Sequence, residues 1–201
     1  MTESPLIKPW KIDPDKLLLR PLTEEDASER YASWLNDPET NQYLECRHDT
    51  PFTKLDTANF INRCIQIQRH HWGIIYENQH VGNISCSLYN HKYKWVDISI
   101  LLGEEKFRRM GLTTLSLAGA VEYLFTVPKF HMITAGCYAS NTPSIDLFTQ
   151  VGFKKDGILR DLVIFEGQYM GMVKFSLLEH EWFSRGEKIP RIRVLPTPWD
   201  L

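Results

Sequence analysis

No Cys-x-x-Cys pair occurs in this chain, and its four cysteines (Cys46, Cys64, Cys86 and Cys137) stand far apart. That spacing excludes a thiolate zinc cluster and argues against a disulfide framework, so reduced thiols are expected. No apolar run approaches the roughly 20 residues of a membrane-spanning helix. No apolar signal region precedes the first polar segment, so the expected setting is cytoplasmic, with no membrane partner. Neither sign of charge is in excess: 23 basic and 25 acidic side chains leave a net charge of −2. A dedicated nucleic-acid binder would carry a strong basic surplus, and that class is set aside. His48, His70 and His71 lack the grouping of a metal centre. His180-Glu181-Trp182-Phe183-Ser184 lacks the second histidine of a zinc-protease helix, so no metal is expected. Gly-x-Ser-x-Gly and phosphate-loop lysine motifs are missing as well.

What is present suits one α/β domain. The chain has 201 residues, 43% of them hydrophobic, enough for a full core. The domain is expected over residues 1–183, followed by a Pro-containing tail over 184–201 with a lone Trp199. The pattern predicts a strand at Leu17–Leu22, then a helix whose cap is Thr23 with Asp26 reaching back. A second helix is expected after Thr53, and a hairpin from Trp72–Tyr76 and Val81–Leu88, turning at Glu77–His80. Residues 94–126 organise the rest: a strand to Leu102, a basic turn, and a helix to about Thr126. In that helix Leu112, Leu115, Ala118, Val121 and Phe125 recur at helical spacing. A strand at His131–Tyr138, a short helix after Asn141 closed by Gly152, and two late strands turning at Glu166-Gly167 complete the order. The strand after the central helix is expected to run parallel to the one before it.

The turn Arg108-Arg109-Met110-Gly111-Leu112-Thr113-Thr114 carries chemistry by itself. A glycine lets a ligand approach the backbone. The unpaired N–H groups and partial positive charge of the following helix start suit phosphate oxygens.

Arg108-x-x-Gly111-x-Thr113 resembles the Q/R-x-x-G-x-G/A signature of the GNAT N-acetyltransferases, with Thr113 where that family prefers Gly or Ala. Asn141-x-x-Ser144-Ile145-x-Leu147-Phe148-x-x-x-Gly152-Phe153 is similar to a second segment of the family. Trp34-Leu35-Asn36-Asp37-Pro38-Glu39 and Gly157-Ile158-Leu159-Arg160 resemble the subgroup that includes the ribosomal-protein-alanine acetyltransferases. The resemblance implies the GNAT fold, a mixed and mostly antiparallel sheet splayed between strands 4 and 5 and flanked by helices. It also implies acetyl-CoA as co-substrate and direct acetyl transfer to a primary amine.

The same resemblance assigns roles. Main-chain groups near Leu101 and Leu102 would pair with pantetheine amides. Those of Arg109, Met110, Gly111, Leu112, Thr113 and Thr114, beside Arg108, would hold the pyrophosphate. Asn141 and Phe148 would line the pantetheine arm. Phe148 stands where many relatives have a tyrosine acid, so Ser144 is the candidate hydroxyl near the sulfur; an ordinary first-turn serine is the alternative. Asp97 is a candidate base acting through water, or a strand aspartate hydrogen-bonded on a half-exposed surface. Glu45, Arg47, Tyr89 and Arg160 are candidate acceptor-pocket residues, with Tyr43 and His48 nearby. This mixture suits a small polar amine such as an amino sugar or a nucleotide-linked amino sugar. A protein N-terminus is the enzyme alternative, and a CoA-binding module without turnover is the alternative of another class. A monomer or homodimer is expected.

Gly111→Glu is predicted to abolish CoA binding while the domain stays folded, because a carboxylate would meet phosphate at close range. Unchanged affinity by calorimetry would refute this placement.

Overall fold

The computed structural model describes residues 10–49, 51–186 and 189–200. In chain order it contains β1 (Leu17–Pro21), α1 (Glu29–Asn36), α2 (Pro38–Asn41), α3 (Lys54–Gln66), β2 (His71–Tyr76), β3 (Gln79–Asn90) and β4 (Trp95–Leu102). Then come α4 (Leu112–Thr126), β5 (Met132–Tyr138), α5 (Thr142–Val151), β6 (Lys154–Phe165), β7 (Gln168–Leu178), α6 (Glu179–Ser184) and β8 (Arg193–Val194). The strands form one sheet in the order β6-β7-β5-β4-β3-β2-β1-β8. Only the β4–β5 and β1–β8 pairs are parallel, and the other five are antiparallel. The mixed, mostly antiparallel sheet expected from the sequence is therefore present.

Local chemistry sets the element ends. Thr53 caps α3 while the Asp56 carboxylate accepts from the Thr53 N–H at 2.7 Å, a reciprocal box. The similar Thr23–Asp26 pair closes only a 3-10 turn over Glu24–Asp26. There the Arg20 guanidinium grips both Asp26 oxygens at 2.7 and 2.5 Å. Ser28 caps α1 instead, its hydroxyl accepting from the Tyr31 N–H. The β2–β3 turn is tighter than expected: Glu77 and Asn78 both have positive φ, +49° and +62°, as a two-residue hairpin turn of the I′ type requires.

The helix α4 departs from a one-sided pattern. Leu112, Leu115, Leu117, Ala120, Val121, Leu124 and Phe125 are all buried, because the chain end covers the helix side that faces away from the sheet. A Cβ on Gly119 would stand 2.5 Å from the Ile192 side chain, so the absence of one lets the tail lie close.

The tail expected as an appendage thus completes the sheet. β8 pairs with β1, the Leu195 N–H donates to the Leu19 carbonyl at 2.8 Å, and the Trp72 indole donates to the Leu195 carbonyl at 3.1 Å. A buried hydrogen-bonded clamp holds its end. His70 Nε2 lies 3.0 Å from both Asp200 oxygens, and the Tyr123 hydroxyl donates to the same carboxylate at 2.7 Å, joined by the Thr197 hydroxyl.

Hydrogen bonds from Thr197 and Tyr123 outweigh burial at Asp200 and hold its pKa below the ordinary value, while burial lowers that of His70. Both groups therefore bind protons more readily in the unfolded chain. Their contributions to stability are present above the ordinary values and fall away on acidification, His70 from about 6.5 and Asp200 from about 3.8. Asp200→Ala should cost roughly 2–4 kcal/mol by stranding buried donors. For a chain of this length that is a Tm drop on the order of 5–15 °C. An unchanged Tm at neutral pH would show that the clamp does not hold the tail.

Candidate active site

A break between β4 and β5 makes the site. The two parallel strands pair only at Trp95↔Met132, Val96↔Ile133 and Asp97↔Thr134. Beyond that point β4 stays in constant register with β3, from Ser87↔Asp97 to Gly82↔Leu102, while β5 stays paired with β7 as far as Tyr138↔Met172. Gly103 continues the first ladder, donating its N–H to the Val81 carbonyl at 2.9 Å. On the other side, the Lys94 carbonyl accepts from the His131 and Met132 N–H groups. In such a strand alternate residues turn their main chain to opposite neighbours. Asp97, Ser99 and Leu101 therefore face β3, and Ile100 and Leu102 face the open gap. The Leu101 carbonyl would lie only 2.3 Å from a Cβ on Gly82 of β3, in agreement. Of the two expected positions, Leu102 turns its main chain to the gap and Leu101 turns its own to β3; by strand parity Ile100 takes that place at the gap.

At the end of β4 the chain enters the basic turn. Arg109 and Gly111 have φ of +59° and +86°. Main chain that enters the left-handed region here turns successive N–H groups toward one side, a concavity suited to anions. Among the described residues, none of the N–H groups of Arg109–Thr114 donates to a protein acceptor. Arg108, in contrast, is committed to α2: its guanidinium donates to the Thr40 hydroxyl at 3.0 Å and lies 3.8 Å from Glu39. Arg109 is exposed, and Leu112 and Thr114 are buried at the helix start. Thr113 is half-buried in the first turn. A Cβ on Gly111 would meet the Trp10 ring at 2.5 Å. The expectation that Gly111→Glu leaves the fold untouched is thereby corrected, since the strained φ and the indole both oppose any side chain.

Asp97 lies at the closed end of the gap. The Thr134 hydroxyl donates to its carboxylate at 2.8 Å. Burial raises its pKa, opposed by Thr134, by Lys174 and by Ser87. Lys174 reaches over Gly136, whose Cβ would lie 3.0 Å from the ammonium. By strand alternation Thr134, Gly136 and Tyr138 share this face of β5. The Tyr138 hydroxyl donates to Glu45 at 2.6 Å and accepts from the Arg47 guanidinium at 2.8 Å. Arg47 also donates to the Ile164 carbonyl at 2.8 Å, and Tyr43 stacks on Phe165 with ring centroids 5.2 Å apart. The loop before α3 and the β6–β7 hairpin tip are thus drawn together at the end of β5. Tyr138 has no expected role in the sequence; its parity with Thr134, opposite Asp97, is the signal that finds it.

Asn141 caps α5, its side-chain oxygen accepting from the Ser144 N–H at 3.2 Å, and Ser144 is half-buried in the first turn. Phe148 is a core residue, packed against Phe153 and Phe175, because its helix face turns toward the sheet. Tyr89 belongs to the tail clamp: its hydroxyl accepts from the His70 N–H at 2.8 Å, and it lies near the start of β4, away from the gap. Arg160 is exposed on the stretch of β6 where pairing with β7 lapses between Leu159 and Val163. His48 is exposed in the loop. No group of three or more metal-ligating side chains occurs among the described residues.

A family model described as an acetyltransferase (GNAT) domain matches residues 16–154. The chain is 27% identical over 175 residues to the N-acetyltransferase p20 of Bacillus licheniformis, covering 84% of this chain and 96% of that protein. It is 30% identical over 78 residues to the [ribosomal protein uS5]-alanine N-acetyltransferase of Escherichia coli, covering 39% of this chain and 40% of that protein. A solved spermidine N-acetyltransferase from Vibrio cholerae, in complex with CoA and spermine, superposes with a TM-score of 0.74 at 17% identity, covering 84% of this chain and 99% of that one.

If Phe148 is core, Phe148→Ala should cost about 3–5 kcal/mol. Phe148→Leu should keep CoA affinity within about twofold, as expected of a volume-conserving core substitution. A selective loss of CoA affinity in the leucine variant, with Tm unchanged, would return Phe148 to the coenzyme site.

Proposed function

Since the chain belongs to the GNAT family and is an acetyl-CoA-dependent N-acetyltransferase, we propose that it acetylates a small polar primary amine, such as an amino sugar or a nucleotide-linked amino sugar, by direct transfer. The observation that carries this reading is the gap itself. Its unpaired main-chain groups at Ile100 and Leu102 run from an anion-binding turn at one end to a carboxylate-bearing pocket beside Tyr138.

The N–H groups of Arg109–Thr114 take the diphosphate, and Ile100 and Leu102 complete their strand pairing with pantetheine amides, as an added strand completes a sheet edge. Acetyl-CoA supplies an activated acyl group. A main-chain N–H in the gap stabilises the negative charge that develops on the acyl oxygen. Asp97 takes the proton that the acceptor must lose, through water, because an alkylammonium has no lone pair for attack. Its raised pKa suits it to hold that proton. Ser144 donates a hydrogen bond to the departing sulfur, and Asn141 holds the turn that presents it. Glu45 attracts the cationic acceptor, with Tyr138 fixing one of its oxygens.

The mixed charge of the pocket, with Glu45, Arg47 and Lys174 about one aromatic wall, favours a hydroxylated amine over a purely cationic polyamine. A second reading, a protein N-terminus as acceptor, draws on the similarity to the uS5-alanine enzyme. Mass spectrometry of products after incubation with acetyl-CoA and cell extract separates a modified metabolite from a modified protein.

Asp97→Asn should lower kcat by about 10²–10⁴ with CoA affinity retained. In the wild type kcat should rise with pH through the raised Asp97 pKa, and the variant should lose that limb. A variant with wild-type kcat and the same pH profile would remove Asp97 from the mechanism.

A further inference from the structure

We propose that the Trp10–Lys11 segment is part of the coenzyme site, with the Lys11 ammonium acting as a cation for a phosphate of CoA. The proposal rests on the GNAT reading above. The sequence motif nominates Arg108 for this task, yet that guanidinium is held by Thr40 and Glu39 of α2. It serves to dock α2 against the turn, which leaves the exposed Arg109 as the turn's own cation. Three observations point to Lys11 as a second one. The Lys11 N–H donates to the Met110 carbonyl at 3.2 Å, so its backbone is fastened to the middle of the anion turn. Trp10 fills the space where a Cβ on Gly111 would stand, so the segment is seated on the turn rather than passing near it. Lys11 is exposed, and no carboxylate partner engages its ammonium among the described residues. The neighbouring Asp13 carboxylate accepts from the Asp15 N–H.

A lysine on a four-carbon stem is a mobile point charge, well suited to following a phosphate without fixed fork geometry. The 3′-phosphate and the diphosphate of CoA share the chemistry that Lys11 would recognise. The bond to Met110 adds a second effect: it restrains the carbonyl of the turn, so that neighbouring N–H groups stay aimed at the ligand.

Calorimetric titration of CoA at low ionic strength into the wild type, Lys11→Arg, Lys11→Ala and Lys11→Glu tests the charge. Lys11→Arg should match the wild type. Lys11→Ala should bind roughly three- to fivefold more weakly, the range of one solvent-exposed ion pair. Lys11→Glu should be weaker again, and the differences should shrink as salt rises. Because Lys11 is exposed, the variants should share one Tm, which separates a charge effect from a folding defect. Repeating the series with 3′-dephospho-CoA identifies the contact: a penalty that persists assigns the diphosphate, and one that vanishes assigns the 3′-phosphate. Equal CoA affinity across the four proteins at low salt overturns the proposal alone. A wild type that does not bind CoA overturns the reading beneath it.

Discussion

Two strands that part company after three paired residues are the constraint on which this structure depends. An open pair of strand edges inside a sheet is costly, since main-chain donors and acceptors are left without partners. The gap persists because each strand end is anchored elsewhere. The end of β4 is drawn toward β3 and α1: Gly103 and Glu104 donate their N–H groups to Val81, and the Glu104 carboxylate accepts from the Trp34 indole and from Arg30. A Cβ on Gly103 would stand 2.0 Å from the Trp34 ring, so glycine is what permits this seating. The end of β5 is held on its other side by β7 and above by the Tyr138–Glu45–Arg47 contacts. Closing the gap would break one set of anchors.

The same alternation that opens the gap also sorts the chemistry. One set of β4 residues directs main chain into the gap, where an extended chain can pair. The intervening residues, Asp97 and Ser99, carry their side chains on the face that Tyr138 shares. A co-substrate lying along the main-chain groups and an acceptor approaching from that face would meet beside Asp97. Burial raises the pKa of Asp97 in the same place. In the proposed reaction this geometry would keep the binding of one reactant and the deprotonation of the other on separate groups.

The sequence made most of the frame legible because its signals were local. The reciprocal cap at Thr53, the C-terminal glycine at Gly152 and the apolar period of α4 each specify an element from within it. Misreadings arose where a distant partner intervened. Arg20 captured Asp26 and delayed the first helix. The chain end covered part of α4, so its buried residues extend beyond one side, while Gly119 and Glu122 stay partly open and Thr126 exposed. Phe148 matched a motif position whose usual occupant carries a hydroxyl, yet its packing is set by Phe153 and Phe175. Tyr89 looked like a pocket residue because hairpin strands hide which end of the sheet they reach. Arg108 matched its motif in sequence, and only tertiary structure reveals that α2 occupies it.

The acceptor end shows why substrate identity is the least legible part. Its wall comes from a loop before α3 and a hairpin tip more than a hundred residues later, joined by Arg47 to Ile164 and by Tyr43 on Phe165. Neither segment supplies main-chain groups to the β4–β5 gap or to the anion turn, although the Glu45 and Arg47 side chains hold the end of β5. Substitutions there can change charge and shape around Glu45 while the main-chain groups proposed to hold the coenzyme belong to other segments. Function of this kind resides in a site carried by a fold, and one half of the site is free to vary while the other is tied to the sheet. A shared reaction with different acceptors is the expected consequence of that division, in keeping with relatives named for spermidine and for a ribosomal-protein alanine.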